Sequence, residues 1–438
     1  MSTAIANRVD WKLIWAQCGF RYFFTAMFIS LFGGGMNFVG VSWYIMAATH
    51  STVKVSLQVI VVTLPGLFIP FIGGVLIDRF DRRYLGVALD LVRGFTVLAT
   101  AYIAWHGHLQ LWHLYAMTLV NGVASAMYWA TVNALVQEVI PPSQFTGANA
   151  AVLIGVQSGM LIAGAFVGFT YDTAGIAGIL AIDGVTYFAS AYCLYKVRRD
   201  YVSPRQQQKY REYSEATEAT AKALSAGENP EVAEAGISLA MYNDLREGFQ
   251  YVKQQPLVRA LGLTHSILMA GVVSANVVLV ALTSDILHAG ARGLGYLEAG
   301  WAAGAILGGL IATQLREELR LLLYVTAFAV LAVGHATTPF ITILLAATLL
   351  QSIFGFCRAL GGVVAQSALM SLVPRHFMGR TQSAMAIVTT AVQLAMCVAL
   401  GWLAEKAGII AGYTLLALLY AGATFTAFRA RQLLRLPR

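Results

Sequence analysis

Charge is what this sequence has least of. Its 438 residues include only 29 Lys and Arg and 21 Asp and Glu, 11% of the chain, while 58% is hydrophobic. With a mean hydropathy of +0.68, this is not the composition of a soluble globular protein. Cysteine is also sparse. Cys18, Cys193, Cys357 and Cys397 stand singly in or beside apolar stretches, so neither a disulfide framework nor a zinc site is expected. No Walker-type phosphate loop and no other enzymatic motif occurs. The chain is therefore not expected to be an enzyme, to hydrolyse ATP or to hold a cofactor. The first ten residues are polar, without the pattern of a cleaved signal.

What is present is a succession of long apolar runs. A bilayer core of about 30 Å needs about 20 helical residues. Twelve runs meet that need: 21–46, 54–77, 84–105, 110–138, 148–170, 174–196, 257–283, 293–315, 320–336, 338–372, 381–404 and 408–429. An all-α integral membrane protein with twelve spans is expected. The net charge of +8 follows from topology, because 24 of the 29 Lys and Arg fall on one side if the N-terminus is cytoplasmic. Only Lys54, Arg292 and Lys406 sit in the opposite loops. Positive charge marks the cytoplasmic side, so both termini are expected there, and no nucleic-acid partner is needed to explain the basic excess.

The chain divides at its one long polar segment. Residues 1–197 form a first half, 198–256 a central cytoplasmic loop, and 257–438 a second half. The loop is rich in Glu, Ala, Gln and Lys and too poor in large apolar residues to build a core. Near its end Tyr242, Leu245, Phe249 and Val252 recur at helical spacing, which predicts an amphipathic helix against the inner membrane face or the helix ends. The halves also repeat. Pro142, Phe145 and Gly147 recur at an offset of 232 as Pro374, Phe377 and Gly379, and Ala174-Gly175-Ile176 recurs at 233 as Ala407-Gly408-Ile409. A parallel repeat about an axis along the membrane normal puts a substrate path between the halves.

Between runs two and three lies a charge-dense turn, Gly74-Val-Leu-Ile-Asp78-Arg79-Phe-Asp81-Arg82-Arg83, followed in the next helix by Asp90 and Arg93, one helical turn apart. An aspartate at a helix end can face the positive end of the dipole, while arginines suit anionic headgroups. Asp90 and Arg93 can pair on one helix face. The turn resembles the G-x-L-x-D-R-x-G-R-[RK] signature of the major facilitator superfamily, with Asp81 in place of the second glycine. Together with Ser30-Leu-Phe-Gly33, Leu64-Pro65 and Gly290-Ala-Arg-Gly-Leu-Gly295, the variant is similar to the branch of macrolide-efflux proteins and the enterobactin exporter. The resemblance covers essentially the whole chain. It implies two pseudo-symmetric six-helix bundles and alternating access, with Gly74, Asp78, Arg79, Asp81, Arg82 and Arg83 as an inner latch. Asp90 and Arg93 belong either to that latch or to a structural pair. The second half has Thr313 where the latch acid would stand, so the latch is one-sided. The branch's arginine in span four is absent, and Ala165 replaces a span-five proline. The glycines at 155, 159, 164 and 168 instead suit close helix packing.

Four ionisable residues lie inside apolar runs: Asp183, His265, Glu298 and Arg358. Insertion scales put the cost of Asp, Lys or Arg at a lipid-facing centre at about 2.5–3.5 kcal/mol, so these groups should face a cavity or one another. Asp183 or Glu298 is expected to bind a coupling proton. Arg358 either contacts an anionic substrate group or tunes the acid; an ion pair between helices remains open for each. Asn37, Asn121, Asn133, Gln351 and Gln366, with Trp129 and Trp301, are candidates to line an amphipathic cavity. His106, His108 and His113 beside Trp105 read as interfacial residues rather than metal ligands. The function implied is proton-coupled export of an amphipathic small molecule, a drug or siderophore, by a monomer in a bacterial inner membrane. Uptake, lipid movement, or a non-transporting receptor on the same fold are the alternatives.

Overall fold

The computed structural model describes residues 15–69, 81–140, 145–197, 246–314 and 317–435. These residues are almost wholly helical. The helices are α1 (Cys18–Thr49), α2 (Thr52–Thr63), α3 (Arg82–Trp105), α4 (Leu111–Val139), then Phe145–Lys196, which Gly175 breaks into α5 (145–174) and α6 (176–196). After the central segment come α7 (Pro256–Asp285), α8 (Gly290–Gln314), α9 (Glu317–Thr337), α10 (Leu344–Leu372), α11 (Arg375–Ala407) and α12 (Ile409–Arg435). Among the described residues ten helices are long and apolar enough to cross a membrane, Ser158–Lys196 counting as one across its break. Helices α1–α6 pack mainly with one another, as do α7–α12. The result is two six-helix bundles, as the resemblance implied.

Local chemistry explains where the runs bend. The regular part of α2 stops at Thr63 because Pro65 has no N–H to give the ladder, although helical turns continue to Ile69. The run read as 338–372 is not continuous. Pro339 initiates a 3-10 turn at Thr338–Phe340, and α10 begins only at Leu344. The two Ala-Gly-Ile triplets of the repeat act alike. Gly175 has φ 61 and Gly408 has φ 87, a backbone region costly for any residue with a Cβ. Each reverses the chain at the face opposite both termini, here termed the far face.

The segment 246–254 is helical and docks on α11 rather than standing free. Tyr251 stacks on Phe377 at 4.9 Å, and Arg380 pairs with Glu247 at 2.5 Å. Gly248 permits this contact, since a Cβ there would stand 2.4 Å from the Arg380 carbonyl oxygen. Phe249 is exposed and Val252 half-buried, while Tyr242 and Leu245 lie outside the described residues.

Helices α8 and α10 cross almost backbone to backbone. A Cβ on Gly304 would fall 1.8 Å from the Ser352 carbonyl oxygen, and one on Gly355 would fall 1.9 Å from that of Trp301. Neither obstacle is a movable side chain, so the two helices would have to separate. Gly304→Val is therefore expected to cost about 1–3 kcal/mol or more, read as a lower unfolding temperature of the detergent-purified protein. Gly309→Ala is the control, since a Cβ there meets nothing within 4 Å. Equal stability of both variants would contradict the packing argument.

Candidate functional site

The two bundles touch each other from the far face down to mid-height. Glu405 near the end of α11 accepts from Ser51 Oγ at 2.5 Å and from the Val53 amide at 2.9 Å. Thr52 Oγ1 donates to the Gly401 carbonyl at 2.9 Å, and deeper in, Gln393 Nε2 donates to Thr63 Oγ1 at 2.6 Å. On the other flank α5 lies against α8, where a Cβ on Gly295 would stand 2.5 Å from the Gly164 carbonyl oxygen. The glycines of α5 thus serve packing, partly across the bundle boundary. Arg292 closes this flank with an exposed ion pair to Asp172 at 3.2 Å.

Beneath these contacts lies a cavity of about 240 Å³. Gly35, Phe38 and Val39 of α1 and Met160 of α5 form one wall; α7, α8, α9, α10 and α12 form the rest. The wall is mostly apolar and aromatic. His335 stacks on Phe354 with centroids 4.3 Å apart and planes 5° apart, and Tyr420 lies 5.1 Å from the same imidazole. The buried His335 Nδ1 sits 2.7 Å from the Leu331 carbonyl. A carbonyl only accepts, so Nδ1 carries the hydrogen and Nε2 is left as an acceptor.

Two charged residues line this cavity. The Glu298 carboxylate accepts from Asn276 Nδ2 at 3.0 Å. The Arg358 guanidinium donates to the Met269 sulfur at 3.4 Å and lies 5.7 Å from the Trp301 ring, while its buried Nε has no hydrogen-bond partner. Met269 and Asn276 are seven residues apart on α7, two turns of one face, so the α7 residues that the two charges contact stand about 10 Å apart along that helix. They do not form an ion pair with each other.

The other predicted residues lie elsewhere. Asp183 does not line the cavity; it is fully buried inside the first bundle, where Asn37 Nδ2 donates to its Oδ2 at 2.8 Å. Its Oδ1 has no hydrogen-bond partner. A Cβ on Gly33 would come 2.4 Å from that Oδ1, so glycine there lets α1 lie over the acid. Nearby, Arg93 and Asp90 form a buried ion pair. Asp90 also accepts from Ser190 Oγ at 2.6 Å and Ser30 Oγ at 3.5 Å, and the rings of Tyr128 and Tyr187 lie 4.4 and 4.6 Å from the Arg93 guanidinium carbon. Asn121 is buried on α4 with Oδ1 unpartnered, and His265 is half-buried with Nδ1 unpartnered; neither lines the cavity. Gln351 and Trp301 do line it, and Trp129 is exposed.

Of the signature turn, Gly74, Asp78 and Arg79 lie outside the described residues, as does the Asn133 side chain. Asp81 caps α3, accepting from the Arg83 amide at 2.9 Å and the Tyr84 amide at 3.4 Å. That is the physical use of an acid where the signature has glycine. The sequence reading set Arg82 and Arg83 among lipid headgroups. Instead Arg82 pairs with Glu138 of α4 at 2.7 Å, and Arg83 donates to the Val197 carbonyl at 3.1 Å. Both bind the turn to the ends of α4 and α6, where unsatisfied carbonyls and a buried carboxylate compete well with headgroups. At the far face His106 Nδ1 contacts the Tyr102 carbonyl and His113 accepts from the Gln110 amide. Among the described residues no three metal-ligating side chains converge.

Two bundles of membrane-length helices thus enclose a largely apolar, aromatic cavity lined by Glu298 and Arg358. The chain belongs to the Major Facilitator Superfamily, whose family model matches residues 23–400. It is 24% identical over 409 residues to an uncharacterized MFS-type transporter, YfiS of Bacillus subtilis (strain 168), covering 90% of this chain and 88% of that one. It is 25% identical over 385 residues to the enterobactin exporter EntS of Salmonella typhi, covering 85% and 84%. Among solved structures it resembles the nucleoside transporter NupG, with a TM-score of 0.66 at 10% identity over 96% of this chain and 100% of that one. A POT family transporter in complex with a thioalcohol conjugated peptide gives 0.67 at 12% identity over 95% and 97%. At such identities the solved structures speak for the fold alone.

Proposed function

We propose that this protein is a secondary-active carrier that exports an amphipathic small molecule in exchange for protons. The observation that carries the reading is the cavity between the bundles, with Glu298 as its one lining carboxylate among the described residues. A carboxylate hydrogen-bonded by a neutral amide in apolar surroundings can take up and release a proton without breaking an ion pair. The export direction is supported by the similarity to an enterobactin exporter. The charge asymmetry of the loops favours cytoplasmic termini in a bacterial inner membrane. In that orientation the far face is external, and the contacts of Ser51, Thr52 and Arg292 close the cavity towards the outside. Asp81, Arg82 and Arg83 of the signature turn lie at the opposite face, where the latch would engage when the cavity closes inward. The carrier works as a monomer.

The test is flux in proteoliposomes under a pH gradient of either sign, with a cationic dye, a macrolide, a catecholate siderophore and a compact aromatic carboxylate as probes and a trapped pH dye in the lumen. At least one probe is expected to move uphill with a matching proton counterflow, and to stop when an ionophore collapses the gradient. Failure of every probe under both signs would count against the export reading. Flux indifferent to the ionophore would remove proton coupling.

A further inference from the structure

The two charges in the cavity are not equivalent. A carboxylate without a cation can shed its charge by binding a proton, but a guanidinium cannot. Arg358 lies in the bilayer-spanning part of α10, and among the described residues no carboxylate forms an ion pair with it. Its described contacts are a thioether sulfur and an indole face, and its buried Nε has no acceptor. The neighbouring His265 supplies no negative charge, and the Tyr420 hydroxyl lies against Gly271. The cavity therefore holds a fixed positive charge that the protein leaves uncompensated. Leaving a buried charge unpaired is expensive unless a ligand supplies the partner.

The surroundings of that charge say what kind of partner fits. The shelf of His335, Phe354 and Tyr420 is rigid, because its imidazole is held from behind by the Leu331 carbonyl. Flat rings offer a flat ligand stacking area, and a fixed guanidinium offers a planar oxyanion a two-pronged contact. The volume of about 240 Å³ suits a ligand of one to two fused rings rather than a large macrocycle. Glu298 forms no ion pair with Arg358 and is bonded to Asn276, two turns of α7 from the Met269 that Arg358 touches.

We propose that this cavity binds a compact aromatic anion, with its ring on the aromatic shelf and its negatively charged group on Arg358. The proposal rests on the carrier reading above and names the substrate class for that same site. It makes Arg358 a specificity-determining residue and separates the two tasks of the cavity, anion recognition at Arg358 and proton exchange at Glu298.

The test is equilibrium binding to the full-length protein purified in detergent, with empty micelles as reference. The probes share one ring system: 2-naphthoate, the neutral 2-naphthamide, the cationic 2-naphthylmethylammonium and the zwitterionic naphthylalanine. Naphthoate is expected to bind at least about tenfold more tightly than the amide, with the cation weakest. Arg358→Gln should remove that preference while leaving amide binding nearly unchanged, and Arg358→Lys should keep part of it. Amide or cation binding equal to naphthoate would overturn the proposal, as would an anion preference that survives in Arg358→Gln. Tighter binding of the zwitterion would also overturn it, since both charges would then be ligand contacts. The wild-type probe series decides the matter even if the variants fail to fold. Naphthoate bound through Arg358 without gradient-driven flux would refute the carrier reading and leave this one standing; flux of other probes without naphthoate binding would do the reverse.

Discussion

Glu298→Gln is expected to abolish uphill, gradient-driven flux while leaving ligand binding and downhill exchange largely intact. Glutamine keeps the shape of the side chain and a carbonyl that can still accept from Asn276, which donates at 3.0 Å in the wild type. What it loses is the ability to carry a proton. If Glu298 is the exchange site, the variant should run as an uncoupled facilitator, with uphill accumulation falling to background and the lumenal pH dye silent during substrate movement. Glu298→Asp should keep some coupling, because the ionisable group survives even though its reach shortens. Asp183→Asn is the informative companion, since Asp183 is fully buried and sits away from the cavity, bonded to Asn37. Coupling lost only in Asp183→Asn would move the proton site into the first bundle. Unchanged gradient-driven flux in both variants would end the carboxylate mechanism altogether.

That these two acids need an experiment to separate them shows how far the sequence could be read. The spans were legible because apolar runs of bilayer length admit few other interpretations. The pairing of Asp90 with Arg93 was legible because three residues make about one helical turn. Which way a residue faces was not. These helices are apolar around most of their circumference, so no polar stripe marks an inner face. Asn37 and Asn121 looked like cavity residues for that reason, yet Asn37 turns to Asp183. Asp183 and Glu298 looked alike for the same reason. His335 stands near the end of the run 320–336 and drew no reading of its own. Its burial is made by α10 and α12, whose Phe354, Tyr413 and Tyr420 come from 19 to 85 positions later in the chain. The interruption at Thr338–Phe340 was hidden inside an apolar run, although Pro339 was its signal. The signature turn, the plainest feature of the sequence, gains Asp81 as the cap of α3 and two arginines turned inward.

Arg93→Met is expected to be the most destabilising single change in the first bundle. The ion pair with Asp90 stands where four helices meet. Ser30 comes from α1, Asp90 and Arg93 from α3, Tyr128 from α4, and Ser190 and Tyr187 from α6. Removing the arginine leaves Asp90, 0% exposed, with two hydroxyl donors and no cation. Breaking one side of a buried pair costs about 3–5 kcal/mol, because the remaining charge keeps its desolvation penalty without its partner. Asp90→Asn alone should cost less, since the guanidinium retains the faces of two tyrosines at 4.4 and 4.6 Å. The double variant Asp90→Asn, Arg93→Met removes both charges and should recover at least half of the loss seen in Arg93→Met. Thermal unfolding of the detergent-purified proteins, followed by size-exclusion chromatography, gives the three values for a double-mutant cycle. A pair that only holds the bundle together predicts that transport per folded molecule stays near wild type in the double variant. A folded double variant without flux would mean that the pair also rearranges during the cycle, which its position between α1, α3 and α6 permits. Arg93→Met unfolding at the wild-type temperature would refute both roles, because a charge that can be abandoned at no cost is neither a structural tie nor a switch.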